Sequence, residues 1–500
     1  MATIEYYVNG KIHRLNCQTA DALMAPEPRR SGAKKASAGK AAAKRTVGTA
    51  TMAAAARRNA ANRTVFSMHS QTTRIQPRYV GPISETTTLV AMPKTAEGPM
   101  LLPTATMIVE GATKAEKKRL LGEGLELVME GEEGKLLLRG PEEGVKGIQD
   151  VARLAREAVE RGNVKAAHPN FLRVMRQVKP SAAGGQPLWH QTNDGKPGVV
   201  GADVAAAAAW TITRGAGEIR VAVLDEGVDG THGALKPALV LEKDFVNGNA
   251  TAAPDGNDAH GTACAGIIVS RSTKYPGLAP QCSLVAARIA KGDGNDGWIF
   301  DDFETADAID WCWKTAKADV LSNSWGGGDP SPSITAALER AQRQGRGGKG
   351  CVIAVASGNE DVAVGFPATL PFVLAVGATT PFDVRQSPTA QGGESWWGSN
   401  YGPELDLVAP GVRIATTDIR GAAGYSNNDF VTTFNGTSSA TPMVAAAAAL
   451  VLSVRNDLTE GRVREILTST ADRLARNGGR DNNVGWGRLN LFSALRLARR

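Results

Sequence analysis

From residue 217 onward the chain returns repeatedly to short, uninterrupted apolar runs. They read RVAVL at 220–224, SLVAARI at 283–289, DVLSN at 319–323, CVIAVA at 351–356 and FVLAVG at 372–377. A strand with one wet face alternates apolar and polar residues, and these runs do not. Continuous runs of this length are strands covered on both faces, and helical stretches between several of them supply the crossovers that parallel pairing needs. The pattern predicts an α/β fold, a doubly wound and mostly parallel sheet between two helical layers. Ligands of such a sheet sit beyond the carboxyl ends of its strands, so the residues standing there decide what the domain does.

The first run ends on Asp225, in VAVLDEGVDG. A carboxylate at the tip of a buried strand suits orienting a histidine, and capping of the next turn is the plainer alternative. His260 opens an apolar helix, HGTACAGIIV, rich in small residues that let another backbone approach; a structural role is its alternative. His232, seven residues after Asp225 in a turn-like segment, reads as structural. Asn359 follows a strand in ASGNE, where its amide can donate to a developing oxyanion. Ser324, Trp325 and Gly326 follow another, in a segment able to pair edge-on with an extended peptide. Both also read as ordinary loops. In FNGTSSATPM, residues 434–443, two serines precede an Ala-rich helix apolar on nearly all sides. A serine there is either an N-cap or a nucleophile whose anionic tetrahedral state faces backbone N–H groups and the helix dipole. Ala440 stands where a G-x-S-x-G elbow needs its second glycine, and no histidine follows Ser438, which argues against an α/β-hydrolase.

The motifs VAVLDEGVD, HGTACAG, SWGGG, ASGNE and NGTSSATPMVA, in that order, resemble those of the subtilisin-like serine proteases (subtilases). The resemblance covers about 205–495, including VGWGRLN near the end. It implies that Asp225 orients His260, that His260 is general base and then acid, and that Ser438 is the nucleophile. It further implies an oxyanion hole made by Asn359 and the Ser438 N–H, with Ser439 as packing. Segment 324–326 resembles one wall of the substrate cleft, and KGDGNDG, 291–297, with Gly292 and Gly294, resembles the other. Gly365 matches the floor of the first pocket and Glu360 its rim, which implies broad cleavage after large apolar residues. The chemistry needs no cofactor. The stretch 269–281 is short for the calcium loop of many members, and Asp244, Asp255 and Asp258 remain as loop carboxylates for structural calcium.

Upstream of this domain the texture is different. Residues 1–28 hold a hairpin, with Asn9-Gly10 between alternating apolar residues. Residues 29–63 carry ten Lys/Arg and no Asp or Glu, so the rest of the chain has a net charge of 7 − 10 = −3. The basicity is local, a mobile Ala-rich linker that argues against a nucleic-acid-binding protein. Residues 64–104 look extended. A compact β-α-β-α-β block at 105–178 includes a helix opened by Thr113 and a clean amphipathic helix over 147–162. It more loosely resembles the family's propeptide, which implies an intramolecular partner of the domain at 205–500 and a site of self-cleavage in the junction 179–204 or just before it. The odd count of five cysteines, without CxxC, argues against disulfides or zinc. No signal-peptide core and no run of 18 apolar residues is seen, which points to the cytoplasm, with non-classical export as the alternative. The expected partner is a polypeptide substrate. The competing reading is a latent or non-catalytic scaffold, or a regulatory protease recruited to one partner by residues 1–100.

Overall fold

The computed structural model describes residues 2–8, 11–19, 89–91, 100–182, 187–292, 297–475 and 478–500. The basic linker at 29–63, most of the extended segment 64–104, Gly294 and part of the 179–204 junction lie outside them.

Seven parallel strands form the central sheet, in the order Leu407–Pro410, Leu374–Thr379, Val352–Ala356, Val320–Asn323, Arg220–Asp225, Ser283–Arg288 and Leu239–Asp244. Alternate residues of each strand face opposite layers. Val221, Val223, Val352 and Ala354 pack on the helices His260–Val269 and Thr437–Val454. Ala222, Leu224, Ile353 and Val355 pack against the helices Asp302–Lys314 and Pro332–Gly348. Both faces are dry, which is why the runs are continuous. Thr437–Val454, the one helix among the described residues long and apolar enough to cross a membrane, is almost wholly buried in this core. The chain order reverses at Arg220–Asp225: the next two strands lie on one side of it and the later ones on the other. That is the switch point at which such sheets open a ligand crevice.

The N-terminal part is an antiparallel sheet. Met100–Glu110 pairs with Ala166–Arg176 and with Leu136–Arg139, which in turn pairs with Glu126–Glu130. Its order is therefore β-α-β-β-α-β, one strand more than the sequence suggests, because Glu126–Glu130 is an outer strand with little buried surface. Thr113 caps the helix Lys114–Gly122 by accepting from the Glu116 N–H. The helix Gly144–Glu160 covers one face with Ile148, Val151, Leu154 and Ala155. The other face lies on the helices Asp302–Lys314 and Pro332–Gly348, with Ile108 and Leu137 against Phe303 and His168 Nε2 accepting from the Ser333 N–H. The first hairpin, Ala2–Val8 and Lys11–Thr19, is not a free-standing element: through Leu89–Ala91 it extends this same sheet and buries Ile4, Tyr6 and Cys17. At the opposite edge Ala166–Arg176 pairs with Gly297–Asp301, which belongs to the second domain, so one sheet spans both.

Candidate active site

Asp225 is the last residue of its strand and almost fully buried. His260 opens its helix directly above. Gly261 permits that approach, since a Cβ there would lie 2.8 Å from the Asp225 Cβ and closer still to the Gly227 carbonyl. His260 Nδ1 meets the two Asp225 oxygens at 3.0 and 3.1 Å. A carboxylate at Nδ1 holds the proton on that nitrogen and leaves Nε2 free as a base. Burial pushes the imidazole's pKa down, but the charge and hydrogen bond of Asp225 push it up, and the net shift is upward. Trp298 and Phe434 close edge-on around the ring, at centroid distances of 4.6 and 5.3 Å.

Ser438 lies in the first turn of the buried helix Thr437–Val454. Its hydroxyl donates to the Ser324 carbonyl at 3.2 Å rather than to the imidazole, and the Ser324 hydroxyl donates back to the Ser438 carbonyl at 3.0 Å. Ser439 is fully buried and its hydroxyl donates to the Gly436 carbonyl at 2.8 Å, so it finishes the turn. Asn359 docks on the same turn, its Oδ1 accepting from the Thr437 N–H at 2.9 Å and the Thr437 hydroxyl at 3.0 Å. With the oxygen so employed, the amide NH2 remains a donor beside the turn that carries Ser438. Gly358 sets Asn359 in place: its φ of 108° is left-handed, and a Cβ there would collide with the Asn400 amide. His232 is fully employed elsewhere, accepting from the Ala234 N–H at 3.1 Å and bonding the Asp429 carbonyl at 2.9 Å.

The expected cleft residues are placed less uniformly. The Trp325 side chain is core, against Phe300, so segment 324–326 offers backbone only. A Cβ on Gly365 would make only ordinary contacts, the nearest at 3.5 Å to Gly327. Glu360 is not an open rim charge: its Oε2 accepts from the Asn359 N–H at 2.9 Å and the Asn400 amide at 2.8 Å. The Gly292 N–H is spent on Asp258, at 3.1 Å, and the chain's own extended strand pairs with Gly297–Asp301 instead.

Residues beyond Arg176 run across this site. Gln177 Nε2 donates to Glu226 Oε2 at 2.6 Å, and the Tyr425 hydroxyl donates to Gln177 Oε1 at 3.3 Å. The Val178 Cβ lies 3.5 Å from where a Cβ on Gly436 would stand, two residues before Ser438. Asn435 Nδ2 donates to the Lys179 carbonyl at 3.1 Å, and the Ser181 N–H donates to the Thr433 carbonyl at 3.0 Å. Sequence reasoning missed Glu226 and Gln177. Glu226 is buried, its Oε1 accepts from the His260 N–H at 2.7 Å, and burial, then Asp258 and Asp225, push its pKa up to about 8. The signal was present in the charged residue that directly follows Asp225. Cys264, one turn after His260, lies with its Sγ 3.7 Å from Nδ1. Burial holds that thiol well above its usual pKa, so it packs as a neutral group.

Asp225, His260 and Cys264 are also the one group of His, Cys, Asp and Glu atoms at metal-like spacing among the described residues, and the hydrogen bonds above already occupy them. The carboxylates expected to suit calcium meet a guanidinium instead. Arg288 Nη1 donates to Asp244 at 3.1 Å and Nη2 to Asp255 at 3.2 Å, with Asp258 at 3.8 Å. All five cysteines are buried and free.

A model of the subtilase family matches residues 216–487. The calcium-dependent protease of Trichormus variabilis is 32% identical over 376 residues, 67% of this chain and 54% of that protein. Subtilisin E of Bacillus subtilis is 34% identical over 287 residues, 55% of this chain and 65% of the relative. Thermitase of Thermoactinomyces vulgaris is 30% identical over 298 residues, 58% and 93% of the two chains. The chain spans about half the length of the calcium-dependent proteases it matches. The match takes in every strand of the central sheet together with Asp225, His260, Asn359 and Ser438, and on that ground the chain belongs to the subtilase family.

Proposed function

We propose that the chain is a serine endopeptidase that cuts peptide bonds through an acyl-enzyme. The observation that carries this reading is the buried Asp225–His260 pair beside Ser438 at the N-terminus of a buried helix, with Asn359 docked on the same turn. In the reaction His260 Nε2 takes the Ser438 proton as Oγ attacks the scissile carbonyl. Asp225 stabilises the imidazolium, and the Asn359 amide and Ser438 N–H receive the oxyanion. His260 then protonates the leaving amine, and water repeats the sequence on the ester. Gly365 leaves room for a large apolar side chain on the acyl side.

The chain as described is the latent form. Residues 177–181 lie over the site, and the Ser438 hydroxyl is turned to Ser324. The N-terminal domain is the propeptide, removed by self-cleavage between about 174 and 190. Val178 against Gly436 and Lys179 on Asn435 support a bond near Gln177–Val178. The test compares the intact masses of the purified chain and Ser438→Ala, each treated with a fluorophosphonate. Loss of the N-terminal fragment and a phosphonate adduct in the parent alone supports the proposal. A parent that trace protease trims to the catalytic domain and that still takes up no phosphonate refutes it.

A further inference from the structure

We propose that the N-terminal hairpin is a latch, holding through Tyr6 the loop 327–330 that follows the proposed cleft wall Ser324–Gly326 and sealing the seam between the two domains. The hairpin, Ala2–Val8 and Lys11–Thr19, lies at the far edge of the shared sheet. Its Ile4, Leu15 and Cys17 pack with Leu101, Ile148, Ala152 and Phe171 of the N-terminal domain. Tyr6 faces the same way as Ile4 but reaches further. Its ring lies 5.2 Å from that of Phe171, and its hydroxyl crosses to the second domain and donates to the Pro330 carbonyl at 3.3 Å.

The loop that Tyr6 meets depends on its partners for order. Gly327 and Gly328 both hold left-handed φ, 115° and 76°, and glycine has the most backbone freedom to lose. The carbonyls of Gly327 and Asp329 accept from Arg173 Nη1 at 3.0 and 2.9 Å, and Tyr6 adds the third, that of Pro330. A Cβ on Gly328 would lie 3.2 Å from both Arg173 and Leu101, so the N-terminal domain closes on the loop from the side as well. Tyr6 is 2% exposed, and its hydroxyl feels the charges of Arg173, Asp329 and Asp302. Burial, ahead of those charges, pushes its pKa well above the ordinary phenol value. Side chains this close and this dry keep water from the Arg173–Asp302 pair on that side, and a dry pair is the stronger for it. A tyrosine that merely filled the N-terminal core would have no bearing on the loop. That 324–326 forms a cleft wall belongs to the proposed activity; the latch is read without turnover, so either can fail alone.

The test is hydrogen–deuterium exchange of the full chain carrying Ser438→Ala, set against the same chain without residues 1–19 and against Tyr6→Phe. Tyr6→Phe keeps the ring and removes only the hydrogen bond, so exchange at 324–331 should rise roughly two- to tenfold, while that at 166–176 and 437–454 holds. Deletion also opens the seam. Segments 324–331 and 166–176 should then both exchange about tenfold faster or more, since Ile4, Tyr6, Leu15 and Cys17 leave together, with 437–454 again unchanged. A folded variant of either kind whose segment 324–331 exchanges like the parent's overturns the proposal. So does equal acceleration in all three segments, which would make the hairpin a general support and not a latch. Should the deletion fail to fold, Tyr6→Phe decides.

Discussion

Arg173 is the buried bolt between the two domains, and removing it should open the cleft without unfolding the chain. Its Nε donates to Asp302 Oδ1 at 2.5 Å and its Nη2 to Asp302 Oδ2 at 3.2 Å, while Nη1 donates to the carbonyls of Gly327 and Asp329 at 3.0 and 2.9 Å. Both side chains are within 2% of full burial. Arg173→Met leaves the Asp302 carboxylate buried without its partner, which costs about 3–5 kcal/mol. That cost falls on the closed state alone, because opening lets water reach Asp302. At about 1.36 kcal/mol per tenfold, local opening should become roughly 10²–10⁴ times more frequent. Hydrogen–deuterium exchange of the full chain, in a Ser438→Ala background that removes the proposed nucleophile, reads this directly. Peptides covering 166–176 and 297–301 should exchange faster by that factor, and those covering the buried helix at 437–454 should not change. Unchanged protection at 166–176, or equal loss in all three, would refute the idea that this pair sets the opening equilibrium.

Further outcomes follow from the same geometry. Asn359→Ala should lower kcat about 10²–10³-fold with little change in KM, a figure carried over from subtilisin, a relative; steady-state hydrolysis of a peptide substrate checks it. Because Asp225 raises the His260 pKa, the acidic limb of the kcat/KM profile should lie above the ordinary imidazole value. Asp225→Asn should move that limb down, and a limb that stays in place refutes the assignment. Glu226 keeps its proton in the folded chain up to about pH 8 but loses it near 4.5 when unfolded. Between those values the folded state binds the extra proton, so this group makes stability fall as pH rises. Glu226→Gln in the Ser438→Ala background should remove that decline, and unfolding midpoints measured from pH 5 to 8 will show parallel curves if the reasoning is wrong.

The parts of the molecule legible in the sequence are those where one residue's environment is set locally. RVAVL and CVIAVA announce strands because both faces of each are dry, and Gly436 to Met443 announce a buried helix start. Leu239–Asp244 escaped notice because it is an edge strand with Glu242 and Lys243 half in water, and Leu407–Pro410 because four residues ending in proline carry little pattern. The motif positions of the candidate site were read through their resemblance to the subtilase motifs, since each taken locally left a plainer alternative open. The long-range contacts around the site were not. Gln177 reaches Glu226 across 49 residues and Arg288 reaches Asp244 across 44, and neither pairing has a periodicity to betray it. Glu360 was placed at the pocket rim by resemblance, and only tertiary structure shows its carboxylate accepting from the Asn359 N–H.

The sheet shared by the two domains has a consequence if the N-terminal domain is removed as proposed. Gly297–Asp301 would then lose a neighbour along its whole length and present a row of bare amides and carbonyls beside His260. Such an edge accepts an extended polypeptide, so a freed copy of this protein would be adhesive beside the proposed catalytic residues. Departure of the domain would thus be an exchange of one strand for another, and the concentration of loose chain nearby should set how long the edge stays bare.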